Sequence, residues 1–422
     1  MIDIRCGTQK DAEGIFEVMS KAFHIEENSS RWHSWKRLAT NDATRFRVLE
    51  IDGKIISVAH IARHRLAVGS CEIAKGDVGE VSTLPEFQDK GYGSALMRDV
   101  VGWMRENDYD ISRLGGYSVF YRRFGYVPFP RRFVEFTIEP VKAGANTISV
   151  EEMFKPPEGP GMVRPYDASR DAIRKDELYQ LFNKGRSGSI VINLNPNAKL
   201  PTTPSNPDPL RIVYEVDGIV EGYLFATNYG RDITPFEAHI TVGDIAFNPA
   251  CPDALAALFR QILHFAAQND IKRVTSRLPF DPAVLSLLTE AHITFKLEEL
   301  QGAYATNMIQ IINLKSLFGK IIPELEFRLR QSAVTDWRGE IEIGFDTHRV
   351  GLNISDGEVR IAPVAEGVPT MLTGQATLMK LIFGIISFDE APVKVQNCVR
   401  PSIPELLRVW FPRQPTASGP WG

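Results

Sequence analysis

The sequence predicts an α/β (α+β) protein made of two copies of one unit followed by a smaller α+β segment. Three observations predict this. A chain of 422 residues divides, at about 150 residues per domain, into two to three domains. The runs FRVLEIDGKIISVAHIA and RIVYEVDGIVEGYLFAT share an apolar-alternating pattern that turns on Asp52-Gly53 and Asp217-Gly218, 165 positions apart. Asp-Gly between such runs is the signal of a tight hairpin. Each hairpin then leads into a strand and a proline, VGEVSTLPE at Pro85 and VGDIAFNPA at Pro249, 164 positions apart. The register holds across about 30 positions, the mark of an internal repeat.

Composition narrows the class. Apolar residues make up 44% and charged residues 24%, proportions of an ordinary globular chain that exclude disordered, collagen-like and coiled-coil classes. The net charge of −4 gives no basic excess to draw nucleic acid. The longest nearly apolar run, Leu378 to Phe388, is interrupted by Lys380 and falls far short of the about 20 residues of a spanning helix. The N-terminus, MIDIRCGTQKD, lacks the apolar core of a secretory signal. Cys6, Cys71, Cys251 and Cys398 form no C-x-x-C pair, which fits a reducing compartment. Together these features predict a cytoplasmic protein with no membrane or nucleic-acid partner.

In chain order, the first unit is expected at 1–150, the second at 151–301 and the third at 302–422. The Pro/Gly-rich stretch KPPEGPGMVRP (155–165) lies at the first break, and Asn193 to Pro209 predicts a long polar loop inside the second unit. After the first hairpin, Val78–Leu84 reads as a strand and Ser94–Asn107 as a helix, with Leu96, Met97, Val100, Val101 and Met104 on one face. The second copy predicts the matching helix at Asp253–Asn269. In the third unit Ile341–Phe345, Val350–Ile354 and Val359–Ile361 read as half-buried strands, with a turn at Asp356-Gly357. Thr373-Gly374-Gln375 then opens an apolar helix, expected to run on through Leu378–Phe388 and to form either filled core or a lipid-cavity lining.

One motif in the first unit carries chemistry. Gln88-Asp89-Lys90-Gly91-Tyr92-Gly93-Ser94 sits between a strand and a helix. Glycines there let backbone N–H groups converge on an anion at the helix N-terminus, where about half a positive charge resides. The Walker pattern G-x-x-x-x-G-K-[ST] is absent, and the dinucleotide pattern G-x-G-x-x-G fails at Leu96. Downstream, Phe120-Tyr121-Arg122-Arg123-Phe124-Gly125-Tyr126 contains Y-x-x-x-G-[FY].

The pattern [Q/R]-x-x-G-x-[G/A] after a strand, followed by that tyrosine motif, resembles the GNAT acyltransferases. With IRCGTQKDAEGIFEVMSKAF at the start and the expected strand MIQIINLKSLF (308–318), the chain resembles the Eis-like ("enhanced intracellular survival") acetyltransferases over nearly its whole length. The resemblance implies tandem GNAT folds, the N-terminal one active and the central one degenerate, plus a C-terminal domain like a sterol carrier protein. It implies acetyl-CoA as co-substrate, no metal, a primary amine as acceptor (aminoglycoside, polyamine, peptide lysine or small amine) and a homo-oligomer, a hexamer in that family. It places the pyrophosphate at Gln88, Asp89, Lys90, Gly91, Tyr92, Gly93 and Ser94. The pantetheine arm falls along Val81, Ser82 and Thr83, with Val81 and Thr83 offering backbone amides. Tyr121 takes the family's tyrosine position, and Trp35 matches a tryptophan lining the acceptor cleft.

The residues themselves add to this. A tyrosine of pKa about 10 is a weaker acid than a thiol of about 8.5, so a hydrogen bond coupled to C–S cleavage suits Tyr121 better than a discrete proton transfer. Glu80, on the opposite strand face from Val81, is either a base that takes the amine's proton, directly or through water, or a solvated, salt-bridged side chain. Trp32, three residues before Trp35, extends an aromatic wall for a cation or sugar or a core face, and Glu26 with Glu27 either binds a cationic acceptor or is simply solvated. His60 and His64 lie four apart on a strand, about 13 Å, too far to share a metal ion.

In the second unit the offset places Pro252, Leu255 and Ala257 where Gln88, Gly91 and Gly93 stand, and Leu287 or its neighbours where Tyr121 stands. No phosphate cradle results, so this unit reads as scaffold. In the resembling family the terminal carboxylate reaches the active site. Here the tail PRQPTASGPWG has linker composition, and Gly422 is expected not to be the base. A non-catalytic lipid- or ligand-binding protein is the alternative function.

Overall fold

The computed structural model describes residues 2–155, 161–194, 200–229, 239–302, 305–397 and 402–417. It opens with strand β1 (Ile2–Cys6) and helices α1 (Ala12–Ala22) and α2 (Ser30–Asn41). Strands β2 (Phe46–Ile51), β3 (Lys54–Val68) and β4 (Cys71–Thr83) follow as an antiparallel run. Helix α3 (Tyr92–Glu106), strand β5 (Ile111–Tyr117), the single turn α4 (Ser118–Tyr121) and the short strand β6 (Val127–Pro128) complete this segment. The turn between β2 and β3 has Asp52 at φ 49° and Gly53 at φ 83°. Two left-handed residues in a row make the type of turn whose twist matches the flanking strands.

Strand β7 (Arg131–Thr137), the small hairpin β8 (Val141–Ala143) and β9 (Asn146–Ile148), and the turn α5 (Val150–Met153) lead to the second copy. That copy runs β10 (Gly161–Pro165), α6 (Ala168–Asn183), β11 (Arg211–Val216), β12 (Ile219–Tyr229) and β13 (His239–Phe247). It continues through α7 (Asp253–Gln268), β14 (Arg273–Ser276), α8 (Pro282–Glu290) and β15 (Phe295–Leu300). The hairpin turn is the same, with Asp217 at φ 49° and Gly218 at φ 81°.

The first sheet is ordered β1-β2-β3-β4-β5-β16-β6, where β16 (Ala305–Ile311) follows the second copy in sequence. The second sheet is ordered β10-β11-β12-β13-β14-β7-β15, so its sixth strand precedes the second copy in sequence. Each sheet is thus completed by a strand from beyond its own repeat. Accordingly the compact units are discontinuous, 1–130 with 301–413 and 131–300 with 414–422, rather than the three consecutive segments read from the sequence. Antiparallel pairing of β16 with β5 (Ile309↔Arg113) and of β7 with β14 (Phe136↔Val274) carries no local sequence signal.

The expected strand over 308–318 ends at Ile311. Asn313 caps a helix by accepting from the Ser316 amide at 3.0 Å, so α9 (Leu314–Arg330) begins where a strand was expected. Strands β17 (Gly339–Phe345), β18 (His348–Ser355), β19 (Glu358–Ala362) and β20 (Thr370–Leu372) follow. Helix α10 (Gln375–Ile382), strand β21 (Lys394–Gln396) and helix α11 (Ser402–Trp410) end the unit. The apolar helix stops at Ile382 instead of running to Phe388, because Gly384 turns the chain left-handed at φ 70°. Leu378, Met379, Leu381, Ile382 and Phe383 are buried. Within the first unit α9 packs on β4, where Lys320 Nζ lies 2.9 Å from a buried Asp110 carboxylate oxygen.

Candidate active site

Two irregularities in the first sheet open a cleft. Strands β4 and β5 pair in parallel from Lys75↔Ile111 to Val78↔Leu114 and then part, while β4 runs on to Thr83. At the same point β4 bulges: Val58 pairs with Ser82 and His60 with Gly79, so Glu80 and Val81 together oppose Ala59. Glu80 takes the left-handed conformation this needs, φ 49°. The Leu84 amide donates to the Ile56 carbonyl of β3, and strand alternation therefore turns the amides of Thr83 and Val81 toward the open side. A cleft of about 720 Å³ results, lined by Val81, Ser82, Thr83, Gln88, Asp89, Gly91, Tyr92, Gly93, Ser94 and Tyr121 among others.

The loop closes the same cleft from its far end. Gln88 ties back to the Thr83 carbonyl at 3.0 Å and Lys90 to the Glu86 carbonyl at 2.7 Å. Asp89 and Gly91 are left-handed, at φ 57° and 86°. Helix α3 starts with no side-chain cap, and its first backbone hydrogen bond runs from Ala95 to Gly91. The amides of Tyr92, Gly93 and Ser94 are left without intrahelical acceptors, beside a positive helix end. A Cβ at Gly91 would meet open space, whereas one at Gly93 would sit 3.3 Å from the Thr83 hydroxyl.

Tyr121 is held in place by groups remote in sequence. Its ring lies on Gly116, where a Cβ would fall 2.5 Å from Cε2, and packs edge-on against Phe120 and Tyr126. Gly125 ends the turn at φ 93°, and a Cβ there would collide with Gln310 Nε2 at 2.6 Å. Two buried glutamines brace this corner: Gln310 donates to the Phe124 carbonyl at 2.9 Å and Gln375 to that of Gly125 at 3.0 Å. The glycine of Y-x-x-x-G-[FY] thus satisfies both a backbone angle and a close approach. Burial pushes the Tyr121 hydroxyl up to about 12. Against a thiol of about 8.5 that is some 3.5 units, or ~5 kcal/mol, so Tyr121 is suited to donate a hydrogen bond rather than surrender its proton.

Residues 3–129 match the model of the acetyltransferase (GNAT) domain family. They are a GNAT acetyltransferase domain. Solved structures extend the likeness to the whole chain. A probable N-acyltransferase from Enterococcus faecalis V583 superposes with a TM-score of 0.66 at 13% identity, covering 99% of this chain and 98% of its own. A GCN5-related N-acetyltransferase from Kribbella flavida gives 0.64 at 16%, covering 99% and 97%. Eis1 from Mycobacterium abscessus gives 0.57 at 16%, covering 99% of both chains. At these identities the superpositions establish the fold. No curated protein matches the chain by sequence.

Within the GNAT domain the sequence-predicted residues do not all meet in one place. Val81, Ser82, Thr83, the loop from Gln88 to Ser94 and Tyr121 share the cleft, except that Lys90 does not line it. Glu80 faces away from it toward His60, with Oε2 at 3.6 Å from Nδ1, and burial raises its carboxyl above the usual range while Arg31 opposes this. Trp32 and Trp35 do not form one wall. Trp32 packs edge-on to Phe16 and lines a separate groove with His24 and Pro85. Trp35 packs edge-on to Phe23, its other face under the Arg31 guanidinium. Glu26 is exposed in the turn between α1 and α2.

Sequence reasoning missed Phe23, Phe87, Tyr117 and Phe120 as site residues, and Arg123 also lines the cleft. Tyr117 is 72% exposed, a large aromatic rim that the family motifs do not mark. In the second lobe Pro252 is the N-cap of α7, and Leu255 and Ala257 are core residues. That lobe has a smaller pocket of about 340 Å³, lined by Lys175, Tyr179, Asp244 and Arg277 among others. Thr416 of the tail bridges to Ser187 there. Gly422 lies outside the described residues.

Among the described residues no cluster of three potential metal ligands occurs, and no helix is long and apolar enough to cross a membrane.

Proposed function

We propose that the chain is an acetyl-CoA-dependent N-acetyltransferase acting on a primary amine by direct attack in a ternary complex. The observation that carries this reading is one cleft holding three things at once. These are the open-side amides of β4, the uncapped N-terminus of α3 and a tyrosine hydroxyl with no hydrogen bond among the described residues. The α3 end takes the pyrophosphate, and the β4 amides pair with the pantetheine arm and polarise the thioester carbonyl. The amine nitrogen bonds to the carbonyl carbon as the C–S bond breaks. Its proton passes through water to Glu80, whose carboxylate is turned to the opposite strand face, while the Tyr121 hydroxyl donates a hydrogen bond to the departing sulfur.

The finer likeness to Eis-like enzymes, with the central lobe silent and the C-terminal segment like a sterol carrier protein, belongs to this proposal. So do a homo-oligomer and a cytoplasmic location. A five-stranded sheet, β19-β18-β17-β20-β21, with three helices supports the C-terminal reading. The lipid-binding alternative would need the apolar side chains of α10 to line a cavity, yet Leu378, Met379 and Leu381 are each 0% exposed in packed core.

Thiol release from acetyl-CoA, followed with a panel of aminoglycosides, polyamines, lysine peptides and small amines, tests the proposal. Release that depends on at least one amine is expected. Binding of acetyl-CoA without amine-dependent release across the panel would count against it.

A further inference from the structure

His60 lies behind Glu80, away from the cleft, and its ring is set between two carboxylates. Nδ1 is 3.6 Å from Glu80 Oε2, and Nε2 is 3.9 Å from Asp42 Oδ2. The ring is buried against Phe46, and Nε2 is a buried nitrogen with no hydrogen-bond partner among the described residues. Asp42 has 31% of its side chain exposed. A file of three titratable groups thus leads from the bulge of β4 to solvent. The bulge makes this possible, because the left-handed Glu80 is turned to the strand face that carries His60.

We infer that His60 carries protons between Glu80 and Asp42, a positioning residue that acts through Glu80 and empties it after each acyl transfer. This rests on Glu80 being the base proposed above. The proton taken from the amine leaves the Glu80 carboxyl for His60 Nδ1. The proton on Nε2 leaves for Asp42, and Asp42 returns it to water. Exchange with water, one proton taken up at Nε2 and one lost from Nδ1, restores the starting tautomer. Both gaps exceed a hydrogen bond, so each is closed by a bridging water or a sub-ångström side-chain shift.

The surroundings suit the exchange. Burial holds the His60 imidazole below its ordinary range, against Asp42 and Asp77, with Arg45 and His64 adding to the lowering. Burial raises the Glu80 carboxyl against the opposing Arg31. A neutral imidazole can accept, and a carboxyl with raised proton affinity brings donor and acceptor closer to balance. His64, which the metal reading of the sequence discarded, lies 3.3 Å from Asp77 and not beside Glu80.

His60→Gln keeps size and hydrogen bonding but removes the titration. The expected result is a kcat lowered about 10–100-fold near neutral pH, with KM for acetyl-CoA and amine unchanged and partial rescue by imidazole buffer. A kcat equal to the parent's at every pH, with no buffer dependence, overturns the relay. Glu80→Gln separates the two readings. Loss there with none at His60→Gln retains the base and removes the relay, whereas full activity in Glu80→Gln removes the base and the relay with it. A readout free of turnover is the NMR titration of the His60 ring nitrogens in the folded chain. Asp42→Asn should lower the His60 pKa, and Glu80→Gln should move it too. A titration unmoved by both substitutions overturns the contact whatever the activity.

Discussion

The two lobes repeat one another closely up to the turn after the splayed strand, and there they part. Each hairpin has a left-handed Asp-Gly turn and a register shift two residues before it, at Leu49/Glu50 and at Tyr214/Glu215. Each also repeats an ion triad. Arg5 lies 2.7 Å from both Asp11 and Glu50, and Arg164 lies 2.7 Å from Asp171 and 2.5 Å from Glu215. Each has a second bulge, at Glu80 and Val81 in one and beside Gly243 in the other, preceded by a short parallel pair that splays there. Beyond that point the first lobe has Gly91 and an uncapped helix end facing a cleft. The second has Pro252 at the helix start and Leu255 and Ala257 in its core. The bulge and splay therefore belong to the architecture. Both helices start without a side-chain cap, so what sets the proposed anion site apart is the left-handed Gly91 turn that lines an open cleft.

The sharpest way to break this contrast is at Gly91. Gly91→Glu is expected to abolish acetyl-CoA binding, since it forces a side chain onto φ 86° and sets a negative charge at the helix end. Calorimetry on the parent should find one site per chain, and a second site would mean the central lobe is not silent. Next in size is Tyr121→Phe. It should lower kcat by about 10²–10⁴-fold with acetyl-CoA affinity and thermal midpoint unchanged, because the hydroxyl bonds to none of the described residues. Its pKa of about 12 keeps the hydroxyl protonated, so no alkaline limb from this group is expected below about pH 11. Parent-like turnover with chemistry rate-limiting would reduce Tyr121 to a packing residue.

Gly116→Ala tests whether placement of the ring matters. The added methyl must push Tyr121 off its seat, and a kcat loss of about 10-fold is expected from so small a displacement. Unaltered kcat would show that the ring relaxes without consequence.

The smallest effects concern what the lobes share. Asp11→Asn should cost about 1 kcal/mol of stability at neutral pH through its lost charged hydrogen bonds. The Arg5 guanidinium holds the Asp11 carboxyl well below its ordinary range. A depressed carboxylate stabilises the fold above its unfolded pKa of about 3.9 and loses that contribution as pH falls toward the folded value. The difference between parent and variant should therefore shrink in acid unfolding below about pH 4. Asp171→Asn, whose side chain is 3% exposed against 12% for Asp11, should cost more. Equal costs would break the expectation that burial sets the difference.

Much of the candidate site was legible because its signals are local. An Asp-Gly pair between alternating runs specifies a hairpin, and Gly91 with an apolar stripe on α3 specifies a loop opening a helix. Tyr121 stood in a motif whose glycine has a backbone reason. The boundaries that failed also failed for local reasons. Asn313 capped a helix inside an apolar run expected to be strand, and Gly384 ended α10 early.

By itself, then, the sequence determined the repeat, the hairpins, the glycine turn that opens α3, the tyrosine turn and the different residues that open α7 in the second copy. Each depends on φ values and helix ends set by residues within a few positions of one another. Tertiary structure alone decided which strand completes each sheet, that Gln310 and Gln375 brace the tyrosine corner, and that Trp32 and Trp35 face different neighbours. It also decided that Glu80 turns to His60 instead of the cleft. These arrangements join groups from tens to hundreds of residues apart. Strand edges and amide side chains pair with whatever complementary partner the fold delivers, and no residue pattern announces that partner in advance.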